Sequence, residues 1–198
     1  MAPSYRVGRR LMRPSWVLGT FASYLAALVT GGVIVLPAPA FAQSSWLYEI
    51  RGSVLAHDVP IVAGGKWENG VSFNAELAFT PSIPLFGGNI RPALGGTFTP
   101  DMQTSWAYLD IRWEWAGPLF FAAIGVGPSI HTGDELYYSS PGHKALGSRV
   151  LFHIPLELGI QVTPNNRIAL YYEHASNGFT AYPNPGMDNI GVRLAHRF

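Results

Sequence analysis

The chain has 198 residues, of which 48% are hydrophobic and 13% charged, with no cysteine and a formal charge of +1. Soluble domains average about 25% charged residues, so this composition is poor in charge without being apolar throughout, as expected of a β-barrel whose two faces average out. The missing cysteines exclude a disulfide scaffold, a thiolate metal centre and a cysteine nucleophile, and the sparse charge argues against disorder and against a nucleic-acid partner.

Residues 1–15 carry Arg6, Arg9, Arg10 and Arg13 and no acid, and an uncharged stretch runs from Trp16 to Leu36. Pro37, Pro39 and the triplet Ala40-Phe41-Ala42 follow. A basic start, an apolar middle and small residues two apart predict a secretory signal over 1–42, cleaved after Ala42. The apolar stretch is long for a signal, so an uncleaved membrane anchor is the alternative. The first 42 residues hold four of the thirteen basic residues and none of the twelve acidic ones, leaving a formal charge of −3 on residues 43–198.

From there the pattern has period two. In 149–162 the even positions Val150, Phe152, Ile154, Leu156, Leu158, Ile160 and Val162 are all apolar, and the odd positions hold Arg149, His153, Glu157 and Gln161. Successive strand side chains point to opposite faces, so one face is apolar and the other holds the polar groups. Segments 46–57, 71–79, 89–99, 104–115, 166–177 and 189–198 repeat the pattern, and 118–130 does so poorly. Turn-rich pieces such as Thr80-Pro81-Ser82-Ile83-Pro84, Ala116-Gly117-Pro118 and Thr163-Pro164-Asn165-Asn166 separate them. Eight strands in one domain, 43–198, are expected.

A soluble sandwich also alternates, but it does not explain the charges. Glu49, Arg51, Glu76, Arg91, Asp110, Arg112, Glu114, Arg149, Glu157, Arg167, Glu173, Arg193 and Arg197 all fall opposite the apolar parity. With both signs mixed, they can pair inside a small barrel. Trp46, Tyr48, Trp113 and Trp115 lie near segment ends on the apolar parity, as in an interfacial girdle. The segments have the length of membrane strands, about 9–11 residues, and closure would satisfy every backbone group in lipid. The fold expected is therefore an all-β, eight-stranded antiparallel transmembrane barrel. Phe198, on the apolar parity, resembles the sorting signal of bacterial outer-membrane barrels, which implies a multi-pass outer-membrane location. Connections near 58–70, 100–104, 131–147 and 177–187 then face the cell surface, and those near 80–88, 116–118 and 163–166 the periplasm.

The seventh segment carries an anomaly. Its outward parity runs Ile168, Leu170, Tyr172 and then His174 and Ser176. On the eighth, the outward parity runs back from Phe198 through His196, Leu194, Val192 and Ile190 to Asp188. A hydroxyl, an imidazole and a carboxylate thus converge on the outer wall. A serine becomes a nucleophile when a base takes its proton, His174 shares a face with Ser176 at i+2, and an acid would fix the imidazole tautomer. Asn177 and backbone N–H groups of Asn184-Pro185-Gly186 could hold an oxyanion; Pro185 has no N–H, leaving Asn184 and Gly186. The substrate would be a lipid ester arriving sideways. The competing reading is ordinary polarity at a membrane edge, as His196 illustrates at the other rim. His131, His143 and His153 are scattered and show no metal-ligand spacing, and the glycine pairs make no phosphate loop.

Tyr172-Glu173-His174-Ala175-Ser176-Asn177 followed by Asn184-Pro185-Gly186-Met187-Asp188-Asn189 resembles the C-terminal motif of the lipid A 3-O-deacylase (PagL) family. The resemblance implies an eight-stranded outer-membrane barrel that hydrolyses the 3-linked acyl ester of lipid A without a cofactor. It implies His174 as general base, Ser176 as nucleophile, Asp188 as acid and Asn177 as the oxyanion side chain. It also implies lipopolysaccharide as substrate, outer-membrane lipids as surroundings and a homodimer as the assembly to look for. The family's usual acid is Glu, so the shorter Asp188 makes the reach to His174 the decisive distance. The alternatives are a non-enzymatic structural or adhesive barrel and a lipid acyl transferase.

Overall fold

The computed structural model describes residues 46–136 and 142–198; the expected signal, 1–42, lies outside the described residues. Nine strands follow one another: β1 (Leu47–Ala56), β2 (Val71–Phe79), β3 (Ile83–Leu85), β4 (Gly88–Phe98), β5 (Trp106–Ala116), β6 (Phe120–His131), β7 (Val150–Gln161), β8 (Asn166–Ser176) and β9 (Met187–Arg197). Eight of them close into an antiparallel ring. β1 pairs with β9 from Glu49 opposite Arg197 to Ala56 opposite Ile190, and β2 pairs directly with β4. The ninth, β3, is a three-residue arm that folds back on the start of β4 outside the ring. Its Ile83-Pro84-Leu85 lies within the stretch expected as a turn; it becomes a strand because Leu85 and Gly88 pair across a tight hairpin.

Alternation decides what faces where. Along β1 the residues Glu49, Arg51, Ser53 and Leu55 are buried, and Ile50 and Val54 are exposed. The outer wall carries Phe73, Leu94, Leu109, Ile111, Ile124, Val126, Leu158 and Leu170, all exposed. Such a belt exceeds what a water-soluble surface tolerates. Inside, Arg112 bridges Glu76 and Glu157, and Arg193 bridges Glu157 and Asn74. Arg51 reaches Glu49, Glu76 and Glu114 at 2.6–3.0 Å, and Arg193 lies 3.3 Å from the Tyr171 ring centre. Buried charges are tolerated when paired and hydrogen-bonded, and an eight-stranded barrel is just wide enough for its own side chains to fill.

β6 reads poorly in sequence because its central inward positions, Ala123, Gly125, Gly127 and Ser129, are small. A Cβ on Gly125 would lie 2.4 Å from the Arg112 side chain, and one on Gly127 2.0 Å from the Leu109 carbonyl. The Arg112 side chain at Gly125, and the Leu109–Asp110 segment at Gly127, take the space that a side chain would fill, so the strand alternates in direction without alternating in polarity.

Two expected placements differ. Arg149 is not in the lumen: it lies in the connection before β7, half-exposed, paired with Glu135 at 2.8 Å. Tyr48 does not join an outer girdle. The β1–β2 register shifts between Leu47 and Glu49, and the Tyr48 ring lies under the guanidinium groups of Arg91 and Arg197 at 3.8 and 4.9 Å. An extra residue at a bulge re-aims a side chain, which parity counting cannot foresee.

Candidate active site

β8 and β9 are antiparallel neighbours, and their register sets His174 directly opposite Asp188. Cross-strand partners approach to about 4.5–5.5 Å at Cβ, within reach of an aspartate. His174 Nδ1 donates to Asp188 Oδ1 at 2.6 Å, and Ser176 Oγ lies 2.9 Å from His174 Nε2. The carboxylate can only accept, so it fixes the proton on Nδ1 and leaves Nε2 to take the serine proton. The one-methylene deficit of Asp against Glu is thus met by register. His174 and Ser176 are partly exposed on the outer wall.

Asp188 has the expected outward parity, yet it is 0% exposed. The loop joining β1 to β2 folds over it. Ile61, Val62 and Ala63 donate consecutive backbone N–H groups to Asp188 Oδ2 at 3.1, 2.6 and 2.8 Å. The second oxygen, Oδ1, also accepts the Tyr172 hydroxyl at 2.8 Å. The carboxylate therefore holds five hydrogen bonds, each helping to keep one orientation. None of these four partners was singled out as a site residue from sequence. Tyr172 could have been, since it shares the face of His174 at i−2; the loop N–H groups carry no side-chain signature.

Tyr172→Phe removes one bond to the oxygen that faces His174. Loss of a hydrogen bond to a charged group costs about 1.5–3 kcal/mol, and a misaligned acid acts on the chemical step. We expect kcat to fall roughly 10-fold with KM unchanged, measured on ester hydrolysis in mixed micelles.

The expected oxyanion residues divide. Gly186 has φ +65°, and a Cβ there would lie 2.9 Å from His174 Cε1 and 3.5 Å from Ser176 Cβ. Only glycine lets the backbone come this close to both. Asn184 accepts the Asn177 N–H through Oδ1 at 3.0 Å. Asn177 itself has the opposite parity from Ser176 and is 1% exposed. Its Nδ2 donates to the Leu146 and Pro183 carbonyls at 3.0 and 2.8 Å, so its side-chain amide ties the 177–186 turn to the 132–149 loop.

A second set of the same residue types lies nearby. His57 contacts Ser72 Oγ at 3.0 Å and Glu68 Oε2 at 2.9 Å, with all three buried. Being covered on every side, it braces the loop end of the barrel. Burial pushes the Glu68 carboxyl up, but hydrogen bonds from His57, the Lys144 N–H and the Thr104 N–H and hydroxyl outweigh it and hold it at about 2. A folded value below the unfolded one gives stabilisation that is complete above about 4.5 and erodes as pH falls toward 2. Protection factors of the 61–68 amides should therefore drop over that window while strand amides stay protected, as read by hydrogen exchange on the folded barrel; unchanged loop protection at pH 2 would contradict this.

A lipid-facing antiparallel barrel with a hydroxyl, imidazole and buried carboxylate in its outer wall defines a membrane barrel with an ester-hydrolase type of site. The family model for lipid A 3-O-deacylase (PagL) matches residues 65–197. A lipid A deacylase PagL of Bordetella bronchiseptica (strain ATCC BAA-588 / NCTC 13252 / RB50) is 34% identical over 135 residues, 68% of this chain and 67% of that one. Among solved structures, the crystal structure of the outer membrane enzyme PagL is similar with a TM-score of 0.55 and 15% identity, covering 75% of this chain and 99% of that one. That likeness concerns the fold. The chain belongs to the lipid A 3-O-deacylase (PagL) family.

Proposed function

We propose that this chain is an outer-membrane hydrolase that removes the 3-O-linked acyl chain of lipid A in the outer leaflet. The observation that carries the reading is the continuous Ser176–His174–Asp188 relay, 2.9 and 2.6 Å, on the lipid-facing wall. Ser176 Oγ attacks the ester carbonyl as His174 Nε2 takes its proton. Backbone N–H groups of Gly186 and Asn184 receive the oxyanion, with Asn177 holding their turn. The sugar hydroxyl leaves with the proton from His174, and the acyl group stays on Ser176. Water then attacks that ester, His174 takes its proton and returns it to Ser176, and a free fatty acid departs. Asp188 steadies the imidazolium in both halves.

In this reading the strands cross the membrane with the long loops at the cell surface, and residues 1–42 are the export signal removed after Ala42. An ester held in the outer leaflet meets the site by lateral diffusion, which accounts for its position outside the barrel. The test is mass spectrometry of lipid A from cells with and without the protein. Loss of the mass of one 3-O-acyl chain is expected. Unchanged lipid A beside a folded barrel would favour the non-enzymatic reading, and a gained chain would favour acyl transfer.

A further inference from the structure

The carboxylate at the centre of the site is held by a loop, and that loop is held from elsewhere. Residues 57–70 form a long connection between β1 and β2, with no strand of its own. Three consecutive N–H groups aim at one oxygen only if the backbone keeps one particular curve. The sequence Val59-Pro60-Ile61-Val62-Ala63-Gly64-Gly65 supplies no side-chain acceptor or donor of its own to keep it.

Asp58 starts the curve. It has φ +47°, a conformation Asp tolerates better than most residues. Its N–H donates to Asn189 Oδ1 at 3.0 Å, next to the acid. Asp58 Oδ2 accepts the Trp67 and Glu68 N–H groups at 2.7 and 2.9 Å, folding the far side of the loop back on the near side. Asp58 Oδ1 accepts Lys144 Nζ at 2.6 Å, and the same ammonium donates to the Gly65 carbonyl at 2.8 Å. Lys144 lies 86 residues away, in the 132–149 loop, and its N–H donates to Glu68 Oε1 at 3.0 Å. Both side chains of the ion pair are 0% exposed. Burying such a pair is a poor way to gain stability but a recognised way to enforce one arrangement. The loop also docks on the site itself: Val59 donates to the Asp188 carbonyl at 2.8 Å, and Gly64 to the Pro185 carbonyl at 2.6 Å, one residue from Gly186.

We propose that the buried Lys144–Asp58 ion pair positions the acid of the site, by holding the 57–70 loop in the curve whose Ile61, Val62 and Ala63 N–H groups clasp Asp188. Lys144 and Asp58 touch neither substrate nor reacting atoms; they are positioning residues that act through Asp188. The inference rests on the reading of Asp188 as that acid. It makes the outermost loops part of the reaction's machinery, contributed by a segment outside the C-terminal motif.

The experiment is a double-mutant cycle on the full-length protein in micelles, with folding followed by the heat-modifiable gel mobility of barrels. Lys144→Met is expected to lower kcat about 10–100-fold with KM nearly unchanged, and to expose the 61–63 amides to exchange while strand amides stay protected. In an Asp188→Asn background Lys144→Met should add no further loss, because the group it serves is gone. Should Lys144→Met leave too little folded barrel, the double variant Asp58→Asn/Lys144→Met removes both charges of the pair together and is expected to show the same kcat loss. Full activity in the lysine variant, a loss confined to KM, or a loss that multiplies onto that of Asp188→Asn would each overturn the proposal. Full activity of Asp188→Asn alone would instead sink the assignment of the acid, and the inference with it.

Discussion

Ser176→Ala should reduce acyl release by at least about 10⁴-fold and leave the barrel folded. In the proposed mechanism the hydroxyl oxygen takes the acyl group, so no covalent intermediate can form without it. What remains is direct attack by a water that His174 activates, aided by the oxyanion donors, the kind of residual rate that triad enzymes keep when one member is lost. Stability should change little, because Ser176 lies on the outer wall opposite Phe152 and takes no part in the lumen network. The measurement is paired: lipid A mass spectra for activity, and gel mobility with and without heating for folding. A folded Ser176→Ala protein that still strips lipid A would exclude this serine as nucleophile.

Asp188→Asn is the second large effect, and its cause lies in the proton positions. Ile61, Val62 and Ala63 all donate, so an asparagine here turns its carbonyl oxygen toward them. Its amide N–H groups then face His174 Nδ1 and the Tyr172 hydroxyl. Nδ1 must accept, the ring proton moves to Nε2, and Nε2 can no longer receive the proton of Ser176. The wrong tautomer is worth about 10²–10⁴-fold in kcat, with KM nearly unchanged, because the buried side chain does not touch the lipid. Steady-state kinetics in mixed micelles reads the split. An equal fall in affinity would assign Asp188 to substrate binding.

Much of this arrangement was legible in the residues. Period two over eight segments is a strong signal, because a one-residue slip would turn every charge to the wrong face; Arg112, Glu157 and Arg193 sit inside as parity requires. The convergence of His174, Ser176 and Asp188 followed from the same counting. What escaped were features that parity does not carry. The bulge at Leu47/Glu49 re-aims Tyr48, the small inward residues of β6 hide its alternation, and β3 is too short and proline-rich to read as a strand. Arg149 falls one residue outside β7, where parity no longer constrains it. At the site the unread part is the loop: its hold on Asp188 runs through backbone N–H groups and an ion pair between residues 86 apart in sequence. A backbone donor has no residue type to recognise, and a contact between two loops has no period.

The ion-paired interior sets how the two reactants arrive. In the proposed mechanism, with the interior filled by Arg51, Arg112 and Arg193 and their carboxylates, water would reach the acyl intermediate from the headgroup layer, while the ester would come only within the plane of the leaflet. Turnover is then a two-dimensional encounter followed by a three-dimensional one. Its first half follows the surface density of ester rather than the amount per volume, so diluting the substrate with inert amphiphile slows the reaction even when bulk concentration is held constant.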